Sequence, residues 1–174
     1  MHATAITLRH WGEHDCFEAL TALLHRAYAQ LAAMGLNYTA VDQSVEVTKQ
    51  RVGNGQCFVA EREGRVVGTI TVNGPYDPQR DPWVLATPWY SRQDIAHFHQ
   101  LAVDPDVQGL GLGDRLVALC EQWARERGYR HIACDTAVPA HHLRRRYQRL
   151  GYREVDEVQW DGKVYRSVIL LKDL

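Results

Sequence analysis

The chain has 174 residues, which is the usual size of one domain. Its composition, 45% hydrophobic and 24% charged, is typical of a soluble globular protein and excludes disordered, collagen-like and coiled-coil classes. Twenty Lys and Arg residues against twenty-one Asp and Glu give a net charge of −1, without the basic excess of a nucleic-acid-binding protein. We therefore expect a single domain over residues 1–174 that has no nucleic-acid partner.

The cysteines and the N-terminus indicate a reduced, cytoplasmic protein. Cys16, Cys57, Cys120 and Cys134 are widely spaced and form no C-x-x-C pair, so neither a zinc ribbon nor a redox motif is expected. Residues 1–4 lead directly into strand-like sequence, without the basic head and apolar stretch of a signal peptide. No apolar run approaches the ~18 residues that a membrane helix needs, so no membrane partner is expected.

The first predicted elements are a strand and an amphipathic helix. Residues 3–9 alternate as in a strand. A helix is expected to begin at Asp15, with Glu18 three positions on as its capping-box partner and Gly35 as its stop. The apolar face of this helix consists of residues at helical spacing: Phe17, Leu20, Leu24, Leu31 and Met34.

A short helix, a hairpin and a long loop are expected next. Residues 36–55 are less regular, with a short helix at about 41–52. Residues 56–61 and 66–72 are rich in Val, Ile and aromatics on either side of a four-residue connection, which predicts a β-hairpin. Residues 74–93 contain four prolines, so they are interpreted as a long loop with exposed aromatic side chains.

The C-terminal half predicts alternating strands and helices. The order of elements is β-α-(α)-β-β-β-α-β-α-β-β, which indicates a mixed α/β fold with helices packed on a sheet. The elements are a strand at 95–103, a glycine-rich loop at 108–113, a helix at 112–127, a strand at 131–136, a helix at 139–150, and strands at 152–160 and 164–171.

The glycine-rich loop follows a strand and begins a helix, which is the context of a phosphate-binding loop. Glycines let backbone N–H groups converge, and the helix N-terminus adds about half a positive charge, so the loop is suited to a diphosphate. A dinucleotide fingerprint would need glycine where Asp114 stands, and a P-loop would need Lys-Ser or Lys-Thr after Gly113. A plain strand-to-helix turn that uses glycine for steric reasons is the alternative.

The spacing Q-x-x-G-x-G at Gln108, Gly111 and Gly113, with Tyr147 starting a Tyr-x-x-x-Gly-aromatic motif downstream, resembles the GNAT superfamily of N-acetyltransferases. The resemblance implies the fold of that superfamily, a mostly antiparallel sheet of about six to seven strands flanked by helices. It also implies acetyl-CoA as co-substrate. The pair His97 and His99 could bind a metal, but no carboxylate or third histidine stands at a suitable spacing, so no metal is expected. The residues that it places against the coenzyme are Leu101, Ala102, Val103, Gln108, Gly109, Leu110, Gly111, Leu112, Gly113 and Asp114.

The same resemblance implies catalytic roles for two residues. In the family, the tyrosine at the position of Tyr147 protonates the departing CoA thiolate. The alternative is that Tyr147 is a core tyrosine whose hydroxyl bonds to a backbone group. His97 stands where several members carry a catalytic glutamate, and an ordinary histidine pKa of ~6.5 suits a base. His99 is either a substrate contact or a core histidine. Because successive side chains of a strand point to opposite faces, we expect one face of this strand to consist of Ile95, His97, His99, Leu101 and Val103.

Two features of the second C-terminal helix bear on coenzyme binding. Many relatives carry an asparagine seven residues before the motif tyrosine, whereas this chain has Ala140. The run 144–146 with Arg149 forms a basic face, which is either solvated surface or a contact for the 3′-phosphate of CoA. An oxyanion forms on the thioester carbon when the amine attacks. By the same resemblance, it is expected to bind a backbone N–H near 101–103, where the strand of the family bulges.

The acceptor is expected to be a small-molecule amine or amino acid. Acidic residues, Asp77, Asp81 and Asp94, accompany the aromatics of the long loop, and aromatics beside acids suit a cationic amine. The alternative is that these side chains only fold the loop back on the core. The candidate substrate contacts are His99, Trp83, Trp89, Tyr90 and Tyr38.

Other functional hypotheses stay open. The chain is either an active N-acetyltransferase, for a small molecule or for a protein N-terminus or lysine, or an acyl-CoA-binding regulatory module without turnover. The resemblance also implies a homodimer as one assembly, often through the C-terminal strands. Residues 168–171 are apolar on both faces, which fits either a covered internal strand or an interface edge.

Overall fold

The computed structural model describes residues 4–174, which form a seven-stranded sheet with five α-helices. The strands are β1 (Thr7–His10), β2 (Gln56–Arg62), β3 (Arg65–Asn73), β4 (Ile95–Val103), β5 (His131–Ala137), β6 (Arg153–Val158) and β7 (Ser167–Asp173). The helices are α1 (Phe17–Ala33), α2 (Thr39–Asp42), α3 (Val45–Gly53), α4 (Leu112–Glu126) and α5 (His141–Arg149).

The strands are ordered β1-β2-β3-β4-β5-β7-β6. Every neighbouring pair is antiparallel except β4 and β5, which are parallel. The predicted fold class is confirmed, and so is the order of elements apart from one additional helix before β2. Strand β7 lies between β5 and β6, so the apolar run 168–171 is a covered internal strand and not an interface edge.

Two helical layers cover the sheet. Helices α4 and α5 cover one face, here called the α4 face, where Leu116 and Tyr147 pack with Phe58 and Phe98. Helix α1 covers the opposite face, the α1 face, where residues such as Leu24 pack against β2. Each fully buried leucine contributes about 1.5–3 kcal/mol to folding, so both layers are held firmly.

Several boundaries differ from the sequence prediction. Helix α1 begins at Phe17 after Cys16, because Asp15 accepts hydrogen bonds from Arg9 at 2.7 and 2.8 Å and from the Gly12 N–H. The predicted capping box with Glu18 is therefore wrong.

Two further expectations about the N-terminal helices are also wrong. Met34 is 47% exposed and lies outside the core face of α1. The short helix expected at 41–52 is two helices, because the chain breaks at Gln43 and the Ser44 side chain accepts a hydrogen bond from the N–H of Val47 to start α3. Of the strand expected at 3–9, residues 4–6 are not part of β1 and residue 3 lies outside the described residues.

A β-bulge interrupts the pairing of β3 with β4. Thr71 pairs with His99, yet Thr69 pairs with Ala102, so β4 carries one extra residue. Gln100 adopts a φ of +60°, which is uncommon for a residue other than glycine. Its side-chain oxygen accepts a hydrogen bond from Gln43 Nε2 at 2.9 Å, which helps to hold this conformation.

The bulge reverses the facing of the side chains along β4. His97 packs against aromatic rings on the α1 face, whereas Leu101 and Val103 pack into the α4-face core. The predicted single face from Ile95 to Val103 is therefore wrong, because the extra residue shifts the period-two alternation by one.

Strands β4 and β5 separate soon after they meet. Their pairing covers only Ile95–His97 with His131–Ala133, although β4 continues to Val103 and β5 to Ala137. The two strands thus leave a gap in the middle of the sheet, directly after the residues that pair. Within residues 4–174, no helix is both long and apolar enough to cross a membrane.

Candidate active site

A cavity of about 950 Å³ occupies the gap between β4 and β5. One end reaches the loop before α4, the middle reaches Tyr147 of α5, and the other end reaches the loop 74–94. The cavity therefore joins the two faces of the sheet and can hold two molecules that meet in the gap.

The loop before α4 is shaped to leave backbone groups accessible. Gly109 and Gly111 have φ of +84° and +70°, and at either position no atom lies within 4 Å of the place that a Cβ would occupy. Helix α4 begins immediately after Gly111, so its first N–H groups have no intrahelical acceptor. An anion fits this place, because free N–H groups and the helix dipole act together there. The Leu110 side chain is 60% exposed and does not line the cavity.

The basic run on α5 is divided between two roles. Arg144 forms two hydrogen bonds with Glu154, at 2.7 and 2.9 Å, and so belongs to the surface. The guanidinium of Arg146 lies over Gly113 and donates to Asp114 at 3.1 and 3.2 Å. Because this group sits beside the α4 N-terminus and lines the cavity, it is available to an anion bound there.

Tyr147 extends from α5 into the middle of the cavity. Its side chain packs against the rings of Phe98 and Tyr152, with ring centroids 5.9 and 6.0 Å away. Burial raises the pKa of Tyr147 well above its usual range, so the hydroxyl is protonated at neutral pH. No hydrogen-bond partner for this hydroxyl is found among residues 4–174. The hydroxyl is therefore free to donate a hydrogen bond to a molecule in the cavity.

His97 and His99 reach the cavity from the α1 face. Burial lowers the pKa of both imidazoles to about 3. Both ring nitrogens of His97 lack a hydrogen-bond partner within the described chain. The His97 imidazole is therefore neutral at physiological pH and can accept a hydrogen bond, but it binds a proton weakly.

An aromatic cage closes the end of the cavity beside His97. It consists of Tyr76, Trp83, Tyr90 and Trp160, whose neighbouring ring centroids lie 4.9–6.1 Å apart. Asp135 of β5 holds the cage, since its carboxylate accepts hydrogen bonds from the Tyr90 hydroxyl and, at 3.1 Å, from Trp160 Nε1. Asp135 faces the cavity, and the protein around it raises the pKa of its carboxyl group. The hydrogen bonds from Tyr90 and Trp160 lower this pKa in part.

Comparison with known proteins identifies the family. The sequence model described as the Acetyltransferase (GNAT) family matches residues 17–152. The chain belongs to the GNAT family of acetyltransferases. Members of this family use acetyl-CoA.

Individual relatives cover most of the chain. It is 28% identical over 163 residues to the S-(2-succino)cysteine N-acetyltransferase of Bacillus subtilis, which covers 90% of each protein. It is 20% identical to the S-alkylcysteine N-acetyltransferase of the same organism, over 83% of this chain and 78% of the relative. A GNAT family acetyltransferase from Elizabethkingia anophelis, solved with acetyl-CoA bound, shares the fold with a TM-score of 0.66, at 17% identity over 97% and 98% of the two chains.

Most residues predicted for the site of this GNAT protein line the cavity, while their roles stay predictions. The substrate candidates Tyr38, Trp83, Tyr90 and His99 line it, and the coenzyme candidates line it apart from Leu110. Trp89 lies outside the cavity, packed near β6 with Arg92 5.1 Å above its ring.

The acids predicted beside the aromatics are only partly in place. Asp81 lines the cavity, but Asp94 pairs with Arg92 at 2.8 Å and Asp77 accepts a hydrogen bond from a backbone N–H in its own turn. The carboxylate that meets the rings is Asp135, which sequence reasoning missed. Its signal was an acid inside the apolar strand at 131–136.

Other cavity residues had no clear signal in the sequence. Tyr76, Arg51 and the pair Trp160 and Lys163 come from three separate segments and meet only in the folded chain. The described residues contain no group of three or more His, Cys, Asp or Glu that could hold a metal ion.

Proposed function

We propose that this protein transfers the acetyl group of acetyl-CoA to the primary amine of a small molecule, by direct attack of the amine on the thioester. The observation that carries this proposal is the continuous cavity from the glycine loop, past Tyr147, to the aromatic cage. Such a passage lets an amine and a thioester meet in the gap between β4 and β5. The relatives named for N-acetylation of cysteine derivatives support a small-molecule acceptor.

The coenzyme end of the site is argued from the loop before α4. The backbone N–H groups of residues 108–114 would hold the diphosphate, as their open geometry supports. Arg146 would add a charged hydrogen bond to a phosphate oxygen in exchange for part of its contact with Asp114. The pantetheine arm would lie along residues 101–103, where β4 has already parted from β5.

In this reaction the chain must protonate the departing sulfur and stabilise the negative charge that forms on the acetyl oxygen. Bound acetyl-CoA supplies an acetyl carbon that bonds to the amine nitrogen while its bond to sulfur breaks. Tyr147 gives its hydroxyl proton to the departing sulfur, which is supported by a hydroxyl that is protonated at neutral pH and faces the cavity. A backbone N–H near the bulge at Gln100 stabilises the negative charge on the acetyl oxygen.

The amine reaches this point from the cage. Asp135 attracts the ammonium form, and the neutral imidazole of His97 lines the wall of the cavity beside it. The proton that the amine loses leaves through Asp135 and the water of the open cavity. His97 thus acts as a general base only weakly, because its pKa is about 3.

The test measures CoA release over a panel of primary amines, for the wild type and for Tyr147→Phe. The substitution is expected to lower kcat at least ~100-fold, as loss of a general acid does, while the affinity for acetyl-CoA measured by calorimetry is unchanged. Tyr152→Phe is a control, because that buried tyrosine packs against Tyr147 and bonds Glu121 away from the cavity. Binding of acetyl-CoA with no transfer to any amine would refute the enzymatic proposal and favour a binding module.

A further inference from the structure

The acceptor end of the cavity contains charged side chains without opposite-charge partners. Arg51, at the end of α3, donates to the neutral Gln43 side chain at 2.9 Å. Lys163 donates to the Asn37 carbonyl at 2.8 Å and to the Thr39 hydroxyl at 3.0 Å. Within the described part of the chain, neither cation has a carboxylate within 4.0 Å. We call Arg51 and Lys163 the unpaired cations.

Both cations are partly buried and line the cavity. Burial lowers the pKa of Arg51 and of Lys163, and the positive charge of Arg51 lowers the pKa of Lys163 further. Enclosing a charge without a partner costs free energy, so such groups are generally matched by a ligand or an ion pair. The arrangement is therefore suited to a negatively charged group on the acceptor.

The opposite charge stands across the same end of the cavity. Asp135 is held by two neutral donors of the cage and by no cation within salt-bridge distance among residues 4–174. The unpaired cations still lie near enough for their charges to lower its pKa against the effect of burial. One end of the cavity thus presents a carboxylate, two cations and a ring of aromatic side chains.

We propose that the acceptor is a free α-amino acid with a bulky apolar side chain. Its carboxylate binds the unpaired cations, its ammonium group faces Asp135 before it is deprotonated, and its side chain contacts the aromatic cage. This inference rests on the proposed function and narrows its substrate. It separates free amino acids from peptide N-termini, because the first residue of a peptide has no free α-carboxylate.

The first experiment compares three acceptors that share one side chain. S-benzyl-L-cysteine carries both charged groups, its carboxamide lacks the negative charge, and S-benzylcysteamine lacks the carboxylate entirely. We expect kcat/KM of the wild type to be at least ~100-fold higher for the amino acid than for either analogue, as expected when a charged hydrogen bond is lost and a cation is left unpaired. Equal values for the three would overturn the inference but leave the proposed function standing. No transfer to any of them, or to any simple amine, would refute the proposed function itself.

The second experiment removes one of the unpaired cations. Arg51→Met is expected to raise KM for S-benzyl-L-cysteine ~10–100-fold, with little change in KM for S-benzylcysteamine. Lys49→Met, on the exposed side of the same helix, is the matched control and should change neither value. An equal loss for both acceptors would show that Arg51 only supports the structure, and would overturn its assignment. Lys163→Met provides the same comparison if Arg51→Met does not fold.

Discussion

Replacement of His97 tests how completely the protein encloses this side chain. The imidazole is 2% exposed, and burial lowers its pKa from 6.5 to about 3. Below pH 6.5 the unfolded chain therefore binds a proton that the folded protein does not bind. The stability that depends on the neutral imidazole is complete above about pH 6.5 and is lost as the pH falls towards 3.

The size of the effect follows from these two pKa values. Relative to pH 7.5, His97 alone lowers the free energy of unfolding by about 1 kcal/mol at pH 5.5 and about 3 kcal/mol at pH 4.5. His97→Phe cannot bind a proton and fits among the same aromatic rings. It also removes two buried nitrogens that have no partner within the described chain, so it should not destabilise the protein at pH 7.5.

The assay is urea unfolding of the wild type and His97→Phe at pH 7.5, 5.5 and 4.5. Relative to its value at pH 7.5, the stability difference between the variant and the wild type should be larger by about 1 kcal/mol at pH 5.5 and by about 3 kcal/mol in total at pH 4.5. A His14→Phe variant replaces an exposed histidine and tests whether the effect is specific to position 97. If the stability of wild type and His97→Phe depends on pH in parallel, the imidazole is not enclosed and the reasoning is refuted.

Two further substitutions test the two ends of the cavity. Asp135→Asn should lower kcat/KM for an amine about 100-fold at pH 7, because a charged contact is lost. It should also remove the acid limb of the pH–rate profile, whose midpoint in the wild type should lie above the ordinary aspartate pKa of 3.8. An unchanged acid limb would show that Asp135 does not control activity. Gly111→Ala places a Cβ in the open space of the loop at a φ of +70°, so CoA affinity should fall about 10-fold with a cost in stability of about 1–2 kcal/mol. Gly35→Ala carries the same backbone strain at a φ of +80°, outside the cavity, and should leave CoA affinity intact.

The coenzyme end of the site could be predicted because its residues are contiguous. Six residues, 108–113, contain the glycines, the turn and the helix start, and local spacing alone determines their geometry. The inward direction of Tyr147 was predicted from helical spacing, whereas its proposed role came from the resemblance to the family. The succession of strands and helices along the chain was also predicted, from the hydrophobic patterning of each segment.

The bulge at Gln100 could not be predicted from local sequence. Glutamine has no preference for positive φ, and the conformation depends on a hydrogen bond from Gln43, fifty-seven residues earlier. The consequence is large, because one extra residue decides whether Leu101 faces the α1 face or the α4 face. A sequence pattern of period two carries no information about such an insertion.

The acceptor end was found only in part for a related reason. The aromatic side chains of the loop 74–94 are visible in the sequence, but the carboxylate that orders them lies on β5 and the cations come from α3 and the turn before β7. These groups have no common spacing, so their meeting is a property of the tertiary fold. Because the coenzyme end depends on contiguous residues and the acceptor end on dispersed ones, substitutions at Arg51 or Lys163 can change the acceptor without disturbing the loop before α4. Acceptor choice and coenzyme binding should therefore be separable by mutation in this protein.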